Sequence, residues 1–170
     1  MLKTSKRLVI DASIASASGE TMHPTSRRCR EFLEETRKIC HRMVLTQALA
    51  EEWRKHQSRF AAEWIIEMRN KGKVVDLVDV SHALIRDQLV AKGKGKIRKA
   101  AQKDLHLVEA ALATDKAVVS LDERAHEDFM LEATAKITWV NADAEGGHAI
   151  YWLRHGAKPV KEWQLGYKRH

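Results

Sequence analysis

Cysteine is scarce in this 170-residue chain, with only Cys29 and Cys40 present. If one helix carries both, the step of eleven residues from one to the other corresponds to about 16 Å of rise, too far for a disulfide. Both are expected to be ordinary, semi-buried thiols. Zinc spacing is missing too: the nine histidines are scattered, without a Cys/His pattern. No apolar run approaches the length of a membrane span, and no signal peptide is visible. Met1-Leu2-Lys3 leads almost directly into a first strand, so a cytoplasmic protein is expected. No internal repeat or low-complexity segment stands out. Residues 12–20 hold only Gly19, where a dinucleotide-binding fold wants Gly-x-Gly-x-x-Gly after its first strand.

What is present is one domain's worth of residues and a formal net charge of +7. A basic balance suits a polyanionic partner such as nucleic acid. Short β-branched runs alternate with longer helical patterns, which argues for an α/β fold. The strands are expected at Leu8-Val9-Ile10, Met43-Val44-Leu45-Thr46, Val74 to Val78 (an edge strand), Ala117 to Leu121 and Lys136 to Val140. A helix starts at Pro24-Thr25-Ser26, with apolar Cys29, Phe32, Leu33, Ile39 and Cys40 at helical spacing. Thr46 is placed to cap the next helix. Phe60, Trp64, Ile65 and Met68 mark another, which Gly72 ends. Further helices are expected to open at Ser81 and at Asp104, to run from Glu123 to Glu132, and to run from Asp143 to Arg154 with Ile150 and Leu153 inward. The domain is expected over residues 1–156, followed by a basic, irregular tail over 157–170 in which Trp163 and Tyr167 either pack back or meet a partner.

The first strand stops abruptly on Asp11, and open α/β sheets put their chemistry at the carboxyl ends of central strands. Asp122 similarly follows the fourth strand. In the helix after the second strand, Leu49 and Trp53 define the apolar face. Glu52 lies on its edge, able to look inward, and Glu51 lies opposite, in solvent. Asp104 follows a stretch from Lys92 to Lys103 that holds six basic residues, Lys92, Lys94, Lys96, Arg98, Lys99 and Lys103, and no acid. Two glycines let the backbone of that stretch fold closely around a ligand. It lacks the Gly-Lys-Ser/Thr end of a P-loop, and the readings are a phosphate-contacting loop, favoured here, or a flexible, solvated one. Each acid alone has an ordinary role: Asp11 turns the chain, Glu52 is a flanking charge, and Asp104 and Asp122 cap helices. Converging at one sheet edge, however, four carboxylates would repel and raise one another's pKa. Such a cluster reads as a site for hard Mg²⁺ or Mn²⁺ held by carboxylates and water.

Four segments in this order resemble the PIN-domain family of metal-dependent nucleases, which includes the toxin ribonucleases of bacterial and archaeal toxin–antitoxin pairs. They are Leu8-Val9-Ile10-Asp11-Ala12-Ser13, Glu52 in its helix, Asp104-Leu105-His106-Leu107-Val108-Glu109-Ala110-Ala111-Leu112, and Val118-Val119-Ser120-Leu121-Asp122. The resemblance spans roughly residues 7 to 140. It implies a three-layer α/β/α fold with a parallel five-stranded sheet in order 3-2-1-4-5. It also implies an acidic catalytic and metal site made of Asp11, Glu52, Asp104 and Asp122, supported by hydrogen bonds from Ser13 and Ser120. The implied activity is Mg²⁺- or Mn²⁺-dependent endoribonuclease hydrolysis, with the Lys92–Lys103 basic residues holding RNA phosphates. A protein antitoxin or a second copy as partner is implied by resemblance only.

Rival classes fit less well. A haloacid-dehalogenase site wants a second Asp two residues after the first, where Ser13 stands, and a receiver domain wants an acidic pair near the end of its first strand, which residues 1–10 lack. A PIN-like module that grips RNA without cutting it is the closest alternative.

Overall fold

Leu8, Val9 and Ile10 are all wholly buried. Successive strand residues point to opposite faces, so a strand buried at every position needs cover on both sides of its sheet. The computed structural model, which describes residues 4–168, supplies that cover. Strand β1 (Arg7–Ile10) lies at the centre of an all-parallel sheet with β2 (Arg42–Leu45), β3 (Val74–Asp76), β4 (Ala117–Ser120) and β5 (Thr138–Asn141), in order β3-β2-β1-β4-β5. Helices α1 (Ala12–Ala17), α2 (Pro24–Lys38), α3 (Gln47–His56), α4 (Arg59–Asn70), α5 (Ala83–Lys92), α6 (Lys99–Leu112), α7 (Ala125–Asp128) and α8 (His148–Arg154) complete a three-layer α/β/α arrangement. Helix α2 packs with α4 and α8, while α6 packs on β1, β4 and α7. The chain leaves β1 toward β2 on one side and reaches β4 on the other. The crevice outside the ends of β1 and β4 is therefore the topological switch point, where such sheets bind ligands.

Several local signals act as their chemistry dictates. Pro24 occupies the first turn of α2. Thr46 caps α3 by accepting from Leu49 N, and Ser58 caps α4 by accepting from Ala61 N. Strand β3 is an edge strand, though it ends at Asp76 rather than Val78. Cys29 is buried in α2 and Cys40 lies just beyond that helix, both as free thiols; burial pushes the Cys29 thiol up to about 12.

Other boundaries differ from the sequence expectation. The small, polar stretch after Asp11 folds into α1, whose Ala12, Ile14 and Ala15 are buried. Helix α5 starts at Ala83, with His82 rather than Ser81 at its N-cap position. Helix α6 begins at Lys99, so Asp104 lies inside it and caps nothing; Lys and Ala are good helix formers, and Ala101 already packs inward at 1% exposure. The stretch after Asp122 yields only the short α7 and a 3-10 turn at Glu132–Thr134. The last helix is delayed to His148 because Gly146 and Gly147 adopt positive φ, 73° and 69°, which breaks the α-helix.

The tail does not stay irregular over its described part. Gln164 forms an antiparallel bridge with Thr138 of β5, Leu165 is wholly buried, and Leu165 N donates to Ile137 O. Trp163 packs half-buried against the core. Gly166 is required here by space, since a Cβ would lie 2.5 Å from the Ala135 Cβ.

Trp53 ties α3 to the sheet. Its indole Nε1 donates to Ile10 O at 2.9 Å, and its ring stacks on Trp64 with centroids 5.7 Å apart. Trp53→Phe keeps a ring but takes the donor from a buried carbonyl. The expected cost is about 1–3 kcal/mol of stability, read as a lower urea midpoint at unchanged m-value. An unchanged midpoint would show that the indole bond contributes nothing.

Candidate active site

Asp11 is the first residue past β1 and stands at the N-cap position of α1 without making a side-chain cap bond. Ser13 Oγ and Ser120 Oγ both donate to its Oδ2, at 2.7 and 2.8 Å. The same hydroxyl oxygens accept backbone N–H groups, Ser13 Oγ from Leu121 at 3.1 Å and Ser120 Oγ from Asp122 at 3.0 Å. Each hydroxyl thus has its proton on Asp11 and a lone pair on the chain leaving β4. The ends of the two central strands form one hydrogen-bonded unit, and the Asp11 carboxylate is oriented by it.

Glu52 comes from α3, one residue before the anchored Trp53. It is half-buried, with Lys55 Nζ at 3.9 Å and His56 Nε2 at 3.5 Å on the same helix. Glu51 is exposed and accepts from Gln47. Asp104 faces inward from α6 at 7% exposure. Burial, and then the charges of Asp11 and Asp122, push its carboxyl up to about 7, against the opposing pull of Lys103 and Arg124. Asp122 follows β4, and its backbone carbonyl accepts from Trp139 Nε1 at 2.8 Å. Its side chain caps only a local turn, accepting from Arg124 N at 2.9 Å. The Arg124 guanidinium holds the Asp122 carboxyl below the usual carboxylate range, chiefly by hydrogen bonding.

All four predicted acids line one cleft of about 220 Å³, together with Ser13, Ser16, His56, Lys103 and His106. His56 and His106 were not singled out in the sequence. His56 had a signal, the i,i+4 spacing from Glu52. His106 had none, because its place depends on how α3 packs against α6. Burial lowers the His106 pKa against the opposing charges of Asp11, Glu52 and Glu109, and its Nδ1 is buried without a hydrogen-bond partner.

The basic stretch divides. Lys92 Nζ donates to the backbone carbonyls of Glu127 and Asp128, so it fastens α5 to α7 rather than reaching out as a free phosphate contact. Arg98 lies 3.7 Å from Asp128. Lys94, Lys96 and Lys99 are exposed, and Lys103 is both exposed and part of the cleft wall. Only the residues between Lys92 and Lys99 lie outside a helix, with Lys94 and Gly95 at positive φ, 55° and 91°.

As they stand, no group of three or more His, Cys, Asp and Glu side chains among the described residues is arranged to hold an ion directly. Mg²⁺ does not need such a cage, since it commonly keeps several waters and takes one or two carboxylates plus substrate phosphate. The donors fit a hard cation: the cleft gathers carboxylate and hydroxyl oxygens and no thiol. Asp104, whose carboxyl is pushed up first by burial and then by the charges of Asp11 and Asp122, stands in the same cleft as those acids. A scan of protein-family models, a search of curated proteins and a search of solved structures found no match to this chain.

Proposed function

We propose that this protein is a Mg²⁺- or Mn²⁺-dependent endoribonuclease that hydrolyses phosphodiester bonds at the four-carboxylate cleft. The observation that supports it most is the gathering of Asp11, Glu52, Asp104 and Asp122, from four separate segments, around one small cleft at the switch point of a parallel sheet. The four acids are the residues that would hold the cation. When bound, it supplies an activated water and offsets charge on the phosphate. One carboxylate accepts the proton of the attacking water. Ser13 and Ser120 keep Asp11 in place. Lys94, Lys96, Lys99 and Lys103 hold flanking phosphates, which brings affinity with little sequence information.

A reading as an RNA-binding module that does not cut draws on one observation, the pairing of Asp122 with Arg124 rather than with an open site. Incubation of a mixed, labelled RNA pool with the protein and Mn²⁺, with and without EDTA, separates the two. Cutting is expected with Mn²⁺ and none with EDTA. Salt-sensitive binding without cutting under either condition would overturn the nuclease reading in favour of the binding module.

A further inference from the structure

Arg124 sits two residues after Asp122 and occupies both oxygens of its carboxylate. The guanidinium Nε donates to Oδ1 at 3.1 Å and to Oδ2 at 3.2 Å, and a terminal nitrogen donates to Oδ2 at 2.6 Å. A cation at the acidic cleft and this guanidinium would compete for the same two oxygens. The pair is easily parted from the arginine's side: the Arg124 side chain is 66% exposed, so turning it into solvent costs it little, whereas the Asp122 side chain, at 26%, is then left for the cation to pair. Of the other acids whose charge acts on Arg124, Asp104 and Asp128, the latter already has Arg98 at 3.7 Å. Exposed Lys103 lines the cleft wall, and the charges of Lys103 and Arg124 both act on Asp104 and Asp122. A planar guanidinium fork binds phosphate by the same two-point geometry with which it binds carboxylate.

We infer that Arg124 is a phosphate-binding residue for RNA, latched onto Asp122 in the cation-free protein and released to the substrate when a divalent cation takes that carboxylate. The inference rests on the nuclease reading and names a substrate contact outside the Lys92–Lys103 stretch. Release couples the two ligands: the cation exposes the arginine only when the acidic site is filled, so RNA is gripped at this point only by loaded protein.

Wild-type protein, Arg124→Gln and Arg124→Lys are compared by two measurements without turnover. The first is titration with Mn²⁺ alone, followed by electron paramagnetic resonance of the free ion. Arg124→Gln is expected to bind Mn²⁺ about fivefold more tightly than wild type, because the competing pair is gone. The second is fluorescence anisotropy of a labelled single-stranded RNA oligonucleotide in Ca²⁺ across a salt series. There Arg124→Gln is expected to bind more weakly, with the slope of log affinity against log salt reduced by about 0.7. Arg124→Lys keeps the charge without the fork, so it is expected to gain Mn²⁺ affinity while retaining most of the slope. Unchanged or weaker Mn²⁺ binding by Arg124→Gln, with wild type binding the ion, overturns the latch and leaves the nuclease reading standing. Tighter Mn²⁺ binding with an unaltered RNA slope overturns the phosphate contact. No Mn²⁺ binding by any of the three proteins, either alone or in the presence of the RNA oligonucleotide, overturns the nuclease reading itself.

Discussion

Asp11→Asn is expected to abolish RNA cleavage while the protein stays folded. The amide has the shape of the carboxylate, and its oxygen can accept the hydrogen bonds that Ser13 and Ser120 donate at 2.7 and 2.8 Å. The join between the ends of β1 and β4 therefore survives. What disappears is the Asp11 negative charge in the acidic cleft, and with it one of the oxygens that would hold the cation under the proposed function. A fall of more than about 100-fold in cleavage rate is expected, since even the loss of an outer-shell partner commonly costs metal sites 10–100-fold. Circular dichroism and urea unfolding check the fold, and cleavage of labelled RNA in Mn²⁺ checks the activity. A folded Asp11→Asn protein with full activity would remove Asp11 from the mechanism.

Asp104→Asn should make the cation-free protein more stable at pH 8, although it removes another site acid. In the folded state burial and the charges of Asp11 and Asp122 push the Asp104 carboxyl from 3.8 to about 7. The native protein therefore holds this proton more tightly than the unfolded chain. For a carboxyl raised in this way, the stability it contributes is fully present below pH 3.8 and is lost as the pH climbs to about 7 and beyond. At about 1.4 kcal/mol per pH unit, the loss is at most on the order of 4 kcal/mol. Asparagine does not ionise and escapes it. Urea unfolding in EDTA at pH 4 and pH 8 should show the variant and wild type close together at pH 4 and the variant ahead at pH 8. A constant difference at both pH values would mean that Asp104 is not a strained acid. Adding Mg²⁺ or Mn²⁺ should restore wild-type stability at pH 8, because ligands that bind only the folded state stabilise it.

Much of the architecture was legible in the chain because it is carried by local chemistry. Leu8-Val9-Ile10 is apolar at every position, and only a strand covered on both faces tolerates that. Thr46 before α3 and Pro24 in the first turn of α2 act within one turn of themselves. The division between Glu52, in the cleft, and Glu51, in solvent, follows from angular position around a helix whose apolar face Leu49 and Trp53 define. The errors fall where a short-range signal met a longer-range one. Asp104 looked like a cap because a basic, glycine-containing stretch precedes it. The helix begins earlier because Ala101 finds a place against the core. The stretch after Asp122 has the residue pattern of one long helix, yet Phe129, wholly buried, and Thr134, whose hydroxyl donates to Phe129 O at 2.6 Å, accompany its division into two short pieces.

From sequence alone came the apolar strands, the acids Asp11 and Asp122 at strand ends and Glu52 on the inward edge of its helix, since each is a matter of residue type and spacing along one segment. The grouping of the four acids with Ser13 and Ser120 is what the family resemblance implies. Only the tertiary structure decided what surrounds those acids. It brought His106 and Lys103 to the same cleft, assigned Lys92 to fastening α5 against α7, and buried Asp104 in the cleft that Asp11 and Asp122 also line. It also set Arg124 on both oxygens of Asp122. The physical reason is that desolvation and pairing depend on distances between segments far apart in the chain. Those distances exist only once β1 and β4 lie side by side and the helices close over their ends.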